Sequence, residues 1–277
     1  MTVQTALRQG CKLLEDAAVP SPRLTAEILL CRALACERPF LYSHPEQELQ
    51  EVAWIHFGRY LHERIEGAPT QYITKRQEFY GREFRVTPDV LIPRPETEHV
   101  VETALRLAPD ARSLVDVGCG SGAIAVTLAL EMKAEVWATD ISAAAIGVAR
   151  ENAARLGAGV GFVVCDALSA IADRSLDLIV SNPPYVAFGE AAGLQREVRD
   201  FEPHVALFAG ETGLEVYEKL AVDGARVLRP GGRLIVELGY KSLEGVRQLL
   251  GPAWCDVEVV PDLAGIPRVL AARLGRM

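Results

Sequence analysis

The sequence lacks the long apolar stretches that a membrane protein requires. No apolar run in its 277 residues reaches the roughly 18–20 residues needed to cross a bilayer. The first residues also lack the apolar core of a secretory signal peptide, because charged side chains recur every few positions. We therefore expect a cytoplasmic protein that does not associate with membranes.

Patterns typical of metal sites and disulfide frameworks are missing as well. The six cysteines are scattered and form no Cys-x-x-Cys pair, and the five histidines show no His-Glu-x-x-His spacing. Scattered cysteines of this kind are typical of proteins in a reducing compartment, where they serve as small buried apolar side chains. We expect neither a disulfide framework nor a bound metal.

A net positive charge is also lacking. The chain has 29 basic and 37 acidic residues, which gives a formal net charge of −8. Proteins that coat nucleic acid depend on a basic field, so we expect no direct nucleic-acid binding. Hydrophobic residues make up 49% and charged residues 24% of the chain, as in an ordinary globular protein.

Apolar periodicity divides the chain into three regions. Residues 1–75 carry three amphipathic helical patterns, which predict a small all-α domain. Residues 76–92 are rich in strand-forming side chains and predict a hairpin linker. In residues 93–277 short apolar runs alternate with helical patterns, which predicts an α/β domain with a mainly parallel sheet. The predicted strands of this domain lie at 113–118, 134–140, 160–166, 175–181, 233–238, 256–260 and 267–273.

A glycine-rich loop follows the first strand of the α/β region. It reads Asp116-Val-Gly118-Cys119-Gly120-Ser121-Gly122 and opens the next helix. Glycine lets the backbone approach a ligand closely, and the free N–H groups of a helix N-terminus favour anionic or polar groups. The spacing differs from the dinucleotide fingerprint and fits the amino-acid end of S-adenosylmethionine. The alternative is a glycine-rich turn that binds nothing.

Acidic residues end the next two strands. Asp140 can accept hydrogen bonds from both hydroxyls of a ribose, and Asp166 can accept one from an adenine amino group. Each has a structural alternative, because Asp140 precedes the helix-capping candidate Ser142 and Asp166 can be a surface acid. The register of Asp140 with the glycine loop favours the ligand-binding interpretation for that residue.

The sequence Asn182-Pro183-Pro184-Tyr185 directly follows the fourth predicted strand. Two prolines stiffen the backbone at the edge of the sheet where α/β proteins bind ligands. The side-chain carbonyl of Asn182 and a proline carbonyl can then accept both hydrogens of one NH₂ group, while Tyr185 offers a flat face. Such bonds orient the nitrogen for in-line methyl transfer and favour the positive charge that develops on it. The alternative is a proline-rich turn with a packed tyrosine.

With these motifs in order, residues 113–185 resemble a class I methyltransferase that uses S-adenosylmethionine and acts on an exocyclic or amide nitrogen. The segment Leu91-Ile92-Pro93-Arg94-Pro95-Glu96-Thr97-Glu98 extends the resemblance, so that nearly the whole chain is similar to the protein-(glutamine-N5) methyltransferases of peptide chain release factors, the HemK/PrmC family. The resemblance implies a Rossmann-like, doubly wound sheet of seven strands with its last strand antiparallel. Separately from the resemblance, we expect the helical domain at residues 1–75 to dock the substrate; the alternative is that it only caps the edge of the first strand.

The resemblance implies roles for individual residues. S-adenosylmethionine is the implied cofactor, with S-adenosylhomocysteine as product, and the implied substrate is the glutamine of the Gly-Gly-Gln motif in bacterial-type release factors. The implied cofactor-binding residues are Gly118, Cys119, Gly120, Ser121, Gly122, Asp140, Asp166, Ala167 and Asn182. The implied catalytic residues are Asn182, Pro183 and Tyr185, and the implied substrate-binding residues are Asn182, Pro183, Pro184, Tyr185 and Arg94. Glu96 and Glu98 fit the first turn of a helix, where the helix dipole favours acids.

Two other functions remain open at this point. A DNA adenine amino-methyltransferase would use the same Asn-Pro-Pro-Tyr motif on a flipped base. The charge of −8 and the lack of an obvious inserted base-reading segment after residue 185 disfavour it. A module that only senses the cofactor would not need the acceptor motif, which is intact here.

Overall fold

The computed structural model describes residues 1–275, which group into two units. One unit contains residues 1–76 and 195–201, and the other contains residues 77–194 and the chain from Glu202 onward. Residues 276 and 277, the end of the predicted α/β domain, lie outside the described residues. Within residues 1–275 every helix is too short or too polar to span a bilayer.

Helices and strands are numbered here in chain order. The α-helices are α1 (Val3–Asp16), α2 (Pro22–Leu34), α3 (Arg38–Ser43), α4 (Glu51–Ile65), α5 (Thr70–Thr74), α6 (Glu98–Leu107), α7 (Ala123–Glu131), α8 (Ala143–Leu156), α9 (Arg196–Phe201), α10 (His204–Leu207), α11 (Glu215–Val227) and α12 (Leu243–Leu249). The β-strands are β1 (Arg76–Phe79), β2 (Arg82–Arg85), β3 (Ser113–Val117), β4 (Glu135–Asp140), β5 (Val160–Val164), β6 (Leu176–Ser181), β7 (Val186–Ala187), β8 (Phe208–Gly210), β9 (Leu228–Glu237), β10 (Trp254–Pro261) and β11 (Pro267–Leu274). Short 3-10 helices cover Pro95–Thr97 and Phe188–Gly193.

The helical unit is built around α1, α2 and α4, the helices that match the three predicted amphipathic segments. The side chain of Thr2 caps α1 by accepting a hydrogen bond from the backbone N–H of Thr5 at 3.3 Å. Leu14 of α1, Leu29 of α2 and Phe57 of α4 are fully buried in a common core. Burial of these apolar faces, more than helix propensity, stabilises the bundle.

Residues 195–201 belong to the helical unit, although they fall inside the predicted 93–277 domain. Their contacts explain this difference. Glu197 forms an ion pair with the nearly buried Arg64 at 2.7 Å, and Arg196 donates a hydrogen bond to the backbone carbonyl of Glu66 at 2.9 Å. The chain therefore leaves the α/β unit after the Asn-Pro-Pro-Tyr motif and returns at Glu202.

The α/β unit contains a seven-stranded sheet with the order β10-β11-β9-β6-β3-β4-β5. β11 pairs antiparallel with both neighbours, whereas β9, β6, β3, β4 and β5 pair in parallel. Residues of α6, α7 and α8 belong to one apolar cluster with this sheet, and residues of α11 and α12 belong to another. This arrangement confirms the predicted doubly wound sheet with an antiparallel last strand.

The predicted hairpin is present as β1 and β2, but it is part of the α/β core. Phe79 and Phe84 are buried in the same cluster as α6, α7 and α8. The backbone N–H and carbonyl of Arg85 bond to the side chain of Asn152, at 2.8 and 2.9 Å. Burial and these two bonds fix the hairpin to helix α8.

Replacing Gly10 by alanine should destabilise the helical unit, because a Cβ atom at this position of α1 would lie 2.6 Å from Cζ of the fully buried Phe57. Overpacking a core costs about 1–3 kcal/mol, and the better helix propensity of alanine returns up to about 1 kcal/mol. With the full propensity gain, we expect a net loss of up to about 2 kcal/mol in chemical denaturation.

Gly58→Ala in α4 is the matched control. A Cβ atom at position 58 meets nothing within 4 Å, so only the favourable propensity change of up to about 1 kcal/mol remains. If the Gly10→Ala and Gly58→Ala chains prove equally stable, the close packing of α1 on Phe57 is wrong.

Candidate active site

A cavity opens where strands β3, β4, β5 and β6 end. The strand order reverses at β3, since β4 lies on one side of it and β6 on the other, and open α/β sheets bind ligands at such a point. The predicted site residues that line this cavity are Gly118, Gly120, Asp140, Asp166, Ala167, Asn182, Pro183 and Pro184. The predicted site residues that do not line it are Cys119, Ser121, Gly122, Tyr185 and Arg94.

The glycine loop presents bare backbone to the cavity. Gly118 and Gly120 have positive φ angles of +70° and +53°, which favour glycine. A Cβ atom at either position would meet nothing within 4 Å, so neither glycine is needed for packing. The N–H groups of Gly118 and Cys119 both donate to the carbonyl of Thr139, at 2.8 and 2.9 Å, which ties the loop to β4.

The remaining loop residues support the fold around the cavity. A Cβ atom at Gly122 would lie 3.1 Å from Cβ of Ala149, so this glycine lets α7 approach α8. The carbonyl of Ser121 accepts a hydrogen bond from Asn152 at 2.9 Å. Burial, followed by the Asp116 and Asp140 carboxylates, raises the pKa of the Cys119 thiol, which makes this cysteine a poor nucleophile.

Asp140 has the structural role at a helix start that the sequence offered as one interpretation. One oxygen accepts a hydrogen bond from the N–H of Gly120 at 2.9 Å, and the other accepts one from the N–H of Ser142 at 2.8 Å. These bonds orient the carboxylate at the start of α8 and in the cavity wall. A carboxylate has about four acceptor positions, so Asp140 keeps the capacity to bind two further hydroxyl groups.

Asp166 and Lys219 form an ion pair at the cavity edge. Their side chains are 59% and 36% exposed, so solvent screens the pair and its contribution to stability is small. The lining residues Ile141, Val205 and Phe208 are apolar and also exposed or half-buried. The cavity therefore has apolar walls that also include the carboxylates of Asp140 and Asp166.

Asp116 lies below the glycine loop and has an unpaired oxygen. Its Oδ2 accepts a hydrogen bond from the N–H of Ala125 at 3.0 Å, whereas the buried Oδ1 has no partner among the described residues. Burial raises the pKa of Asp116 to about 7. Such a carboxylate favours a cationic group nearby, because a positive charge offsets the cost of its desolvation.

Asn182 directly follows β6, and its side chain is held by a hydrogen-bond chain. Its amide Nδ2 donates to Oγ1 of Thr97 at 3.1 Å, and Thr97 donates in turn to Oε2 of Glu237 at 2.6 Å. Thr97 and Glu237 are only 4% and 3% exposed. Burial raises the pKa of Glu237 to about 7.

Tyr185 and Arg94 make contacts near the hydrogen-bond chain that runs from Asn182 to Glu237. A Cβ atom at Gly239 would lie 2.8 Å from Cδ2 of Tyr185, so the tyrosine ring packs on this glycine. Burial raises the pKa of Tyr185 to about 12. The guanidinium of Arg94 forms an ion pair with the buried Glu202 and donates to the carbonyl of Ile92 at 2.9 Å.

Sequence reasoning missed three residues at the site. Thr97 lies within the quoted segment that follows Arg94, and Glu237 is a carboxylate at the end of an apolar strand, so both carried a signal that could have been used. Lys219 lies inside α11 and carried none. Glu98, expected at a helix start, begins α6 and accepts a hydrogen bond from the N–H of Tyr80 at 2.8 Å.

Solved structures support the fold. A methyltransferase from Pyrococcus furiosus superposes with a TM-score of 0.55 and 18% identity, covering 79% of this chain and all of that one. The E. cuniculi Mtq2–Trm112 complex, which is responsible for methylation of the eRF1 translation termination factor, gives a TM-score of 0.50 and 21% identity over 68% of this chain and 99% of that one. At these identities the likeness concerns the fold alone.

Two family models match the chain in separate places. The model described as the PrmC N-terminal domain matches residues 5–74, and the model described as the methyltransferase small domain matches residues 98–197. The second match covers the glycine loop and the Asn-Pro-Pro-Tyr motif.

Curated relatives match over nearly the full length. The release factor glutamine methyltransferase of Koribacter versatilis is 49% identical over 99% of both chains. The proteins of the same name from Nitratidesulfovibrio vulgaris and Moorella thermoacetica are 44% and 42% identical, over 98% of this chain and 95% and 98% of their own. The chain therefore belongs to the release factor glutamine methyltransferase family.

Proposed function

We propose that the protein transfers a methyl group from S-adenosylmethionine to the side-chain amide nitrogen of the glutamine in the Gly-Gly-Gln motif of peptide chain release factors. The observation that carries the proposal is that Asn182, Pro183 and Pro184 line the same cavity as the glycine loop and Asp140. The proposed donor and acceptor sites thus share one cavity. Membership of the family supports the choice of substrate.

The residues present fit S-adenosylmethionine. Gly118 and Gly120 offer open backbone where any side chain would protrude, and the unpaired oxygen of Asp116 favours the cationic ammonium group of the amino-acid end. Asp140 has the acceptor capacity for the ribose hydroxyls, and Ile141 provides an apolar wall beside it. We assign the same nucleoside end to Asp166 and Ala167.

When bound, S-adenosylmethionine supplies a sulfonium methyl group, and the electron pair of the broken S–C bond stays on sulfur in the product S-adenosylhomocysteine. Asn182 Oδ1 and the Pro183 carbonyl accept the two hydrogens of the glutamine NH₂ group, which orients its nitrogen for in-line attack. These acceptors also stabilise the positive charge that develops on nitrogen as the N–C bond forms.

The acceptor nitrogen needs no general base before transfer, because the methylated amide is a strong acid that releases its proton to water. No histidine occurs among the described residues that line the cavity, although the carboxylates of Asp89, Asp140 and Asp166 do. Direct contact of Tyr185 or Arg94 with substrate stays a prediction, as do substrate docking by the helical unit and a cytoplasmic location.

A labelled-methyl assay tests the proposed function. We expect transfer from methyl-labelled S-adenosylmethionine to a bacterial-type release factor, with a mass gain of about 14 Da, the replacement of hydrogen by CH₃, on the peptide containing Gly-Gly-Gln. A release factor with alanine in place of that glutamine is the control and should gain no label. Label on DNA with none on the release factor would favour an adenine methyltransferase and overturn the proposal.

Two substitutions should separate the acceptor and donor sites. Asn182→Ala should lower kcat by about 10²–10³, the range for losing one hydrogen bond made to developing charge, and leave the Kd of S-adenosylmethionine nearly unchanged. Asp140→Asn should raise that Kd roughly 10- to 100-fold through the loss of charged hydrogen bonds, with kcat at saturating cofactor much less affected. Calorimetry gives the Kd values and a methylation time course gives kcat.

Thermal unfolding of both variants checks that they are folded. The assignment of Asn182 to the acceptor is wrong if Asn182→Ala keeps near-normal turnover, or if its main defect is in cofactor affinity.

A further inference from the structure

The side-chain amide of Asn182 has two ends that differ in hydrogen bonding. Its oxygen only accepts hydrogen bonds, and its NH₂ group only donates them. The proposed reaction, on which this inference rests, requires the oxygen to face the glutamine NH₂ group. With the amide reversed, two NH₂ groups would face each other, and the Pro183 carbonyl would be the only one of the two proposed acceptors left for the substrate hydrogens.

The chain from Asn182 to Glu237 determines which end faces inward. A threonine hydroxyl has a single hydrogen to donate. An ionised carboxylate only accepts, so Thr97 must give its hydrogen to Glu237 across the 2.6 Å contact. The Thr97 oxygen is then only an acceptor for Asn182, and Nδ2 must point toward it, 3.1 Å away.

The fold brings these residues together from distant parts of the chain. Ser181 of β6 lies opposite Val236 of β9 in the parallel register, so Asn182 and Glu237 are the next residues on neighbouring strands. Thr97 ends the 3-10 helix Pro95–Thr97 and lies between them through its two hydrogen bonds. Thr97 and Glu237 are both buried, so water does not compete for these bonds.

We propose that Thr97 and Glu237 are positioning residues, which fix the Asn182 amide with its oxygen toward the substrate nitrogen. Neither touches the reacting atoms. A buried, ionised carboxylate is suited to this task because it only accepts hydrogen bonds. A neutral amide or a protonated acid can also donate, which would allow the hydrogen bonds of the chain to reverse direction.

The charged and titratable groups around Glu237 come from several elements. Arg94 and Glu96 belong to the segment before α6, and Arg268 belongs to β11. Tyr217 of α11 donates to the Glu237 backbone carbonyl at 2.8 Å, and Tyr185 is a further neighbour. Burial outweighs the two arginines and raises the pKa of Glu237 to about 7. Below that pH the acid becomes a donor, and the constraint on Asn182 weakens.

Substitutions of Thr97 test the first link. Thr97→Val keeps the shape but removes the hydroxyl, and we expect kcat to fall about tenfold, the equivalent of one orienting hydrogen bond, with unchanged cofactor Kd. Thr97→Ser restores the hydroxyl and should recover most of the lost rate. Thr103→Val, at a buried threonine of α6 that does not line the cavity, is the matched control and should retain the wild-type rate.

A double substitution shows whether Thr97 acts through Asn182. If it does, Thr97→Val combined with Asn182→Ala should be no slower than Asn182→Ala alone, because the effect of a positioning residue disappears with its target. The proposal is overturned if the double variant loses kcat by the product of the two single losses. It is also overturned if Thr97→Val keeps the wild-type kcat.

Glu237→Gln tests the second link through pH. At saturating cofactor, the wild-type kcat should fall as the pH drops through about 7, because Glu237 becomes protonated. The side-chain amides of Asn182 and of the substrate glutamine do not titrate in this range. In Glu237→Gln, kcat should be lower and should not change over this range. A Glu237→Gln enzyme that keeps the wild-type rate and pH profile would contradict the proposal.

One measurement does not depend on the identity of the substrate. The side-chain amide NMR signals of Asn182, assigned by their absence in Asn182→Ala, should shift as Glu237 titrates near pH 7 and should not shift in Glu237→Gln. If they do not respond to pH in the wild-type protein, the positioning role is wrong. If they respond but no release factor is methylated, the proposed function alone fails.

Discussion

The reversal of strand order at β3 is the constraint on which the site depends. β4 lies on one side of β3 and β6 lies on the other. The loops that follow these strands therefore diverge, and a crevice remains at the carboxyl edge of the sheet. The glycine loop follows β3, Asp140 is the last residue of β4, and Asn182 follows β6. Their separation is therefore set by strand spacing, which is nearly invariant, and only the side chains at the strand ends need to be chosen for chemistry.

Two buried carboxylates lie at this edge, and both destabilise the protein at neutral pH. Burial raises the pKa of Asp116 and of Glu237 to about 7, above the ordinary values of their groups. Each group binds its proton more tightly in the folded state, so its contribution to stability is full at low pH and is lost as the pH rises through about 7. Apolar residues would pack at lower cost. That both lie beside the cavity agrees with perturbed carboxylates being more common at functional sites than elsewhere.

The sequence predicted a mainly parallel sheet and the residues that end its central strands, because buried parallel strands appear as short apolar runs and their last residues meet at one edge. The antiparallel last strand was implied only by the family resemblance. The sequence could not predict contacts that depend on packing between distant segments. Thr97 meets Asn182 across 85 positions of the chain, and residues 195–201 join the helical unit through Arg64 and Glu66. Nor could it distinguish glycines that leave room for a ligand, such as Gly120, from Gly122, which leaves room for a helix. Spacing alone does not report what lies opposite a glycine.

For the same reason, the Asn-Pro-Pro-Tyr motif is an incomplete description of the proposed acceptor site. The prolines restrict the backbone, but nothing in the tetrapeptide distinguishes the two ends of the asparagine amide. That choice comes from the hydrogen-bond chain through Thr97 to Glu237, two residues that the tetrapeptide does not contain. Tyr185, the last residue of the motif, instead packs against Gly239, two residues beyond Glu237. The end of β9 therefore supports both the asparagine and the tyrosine of the motif, and in this chain the proposed acceptor Asn182 depends on that strand end for its orientation.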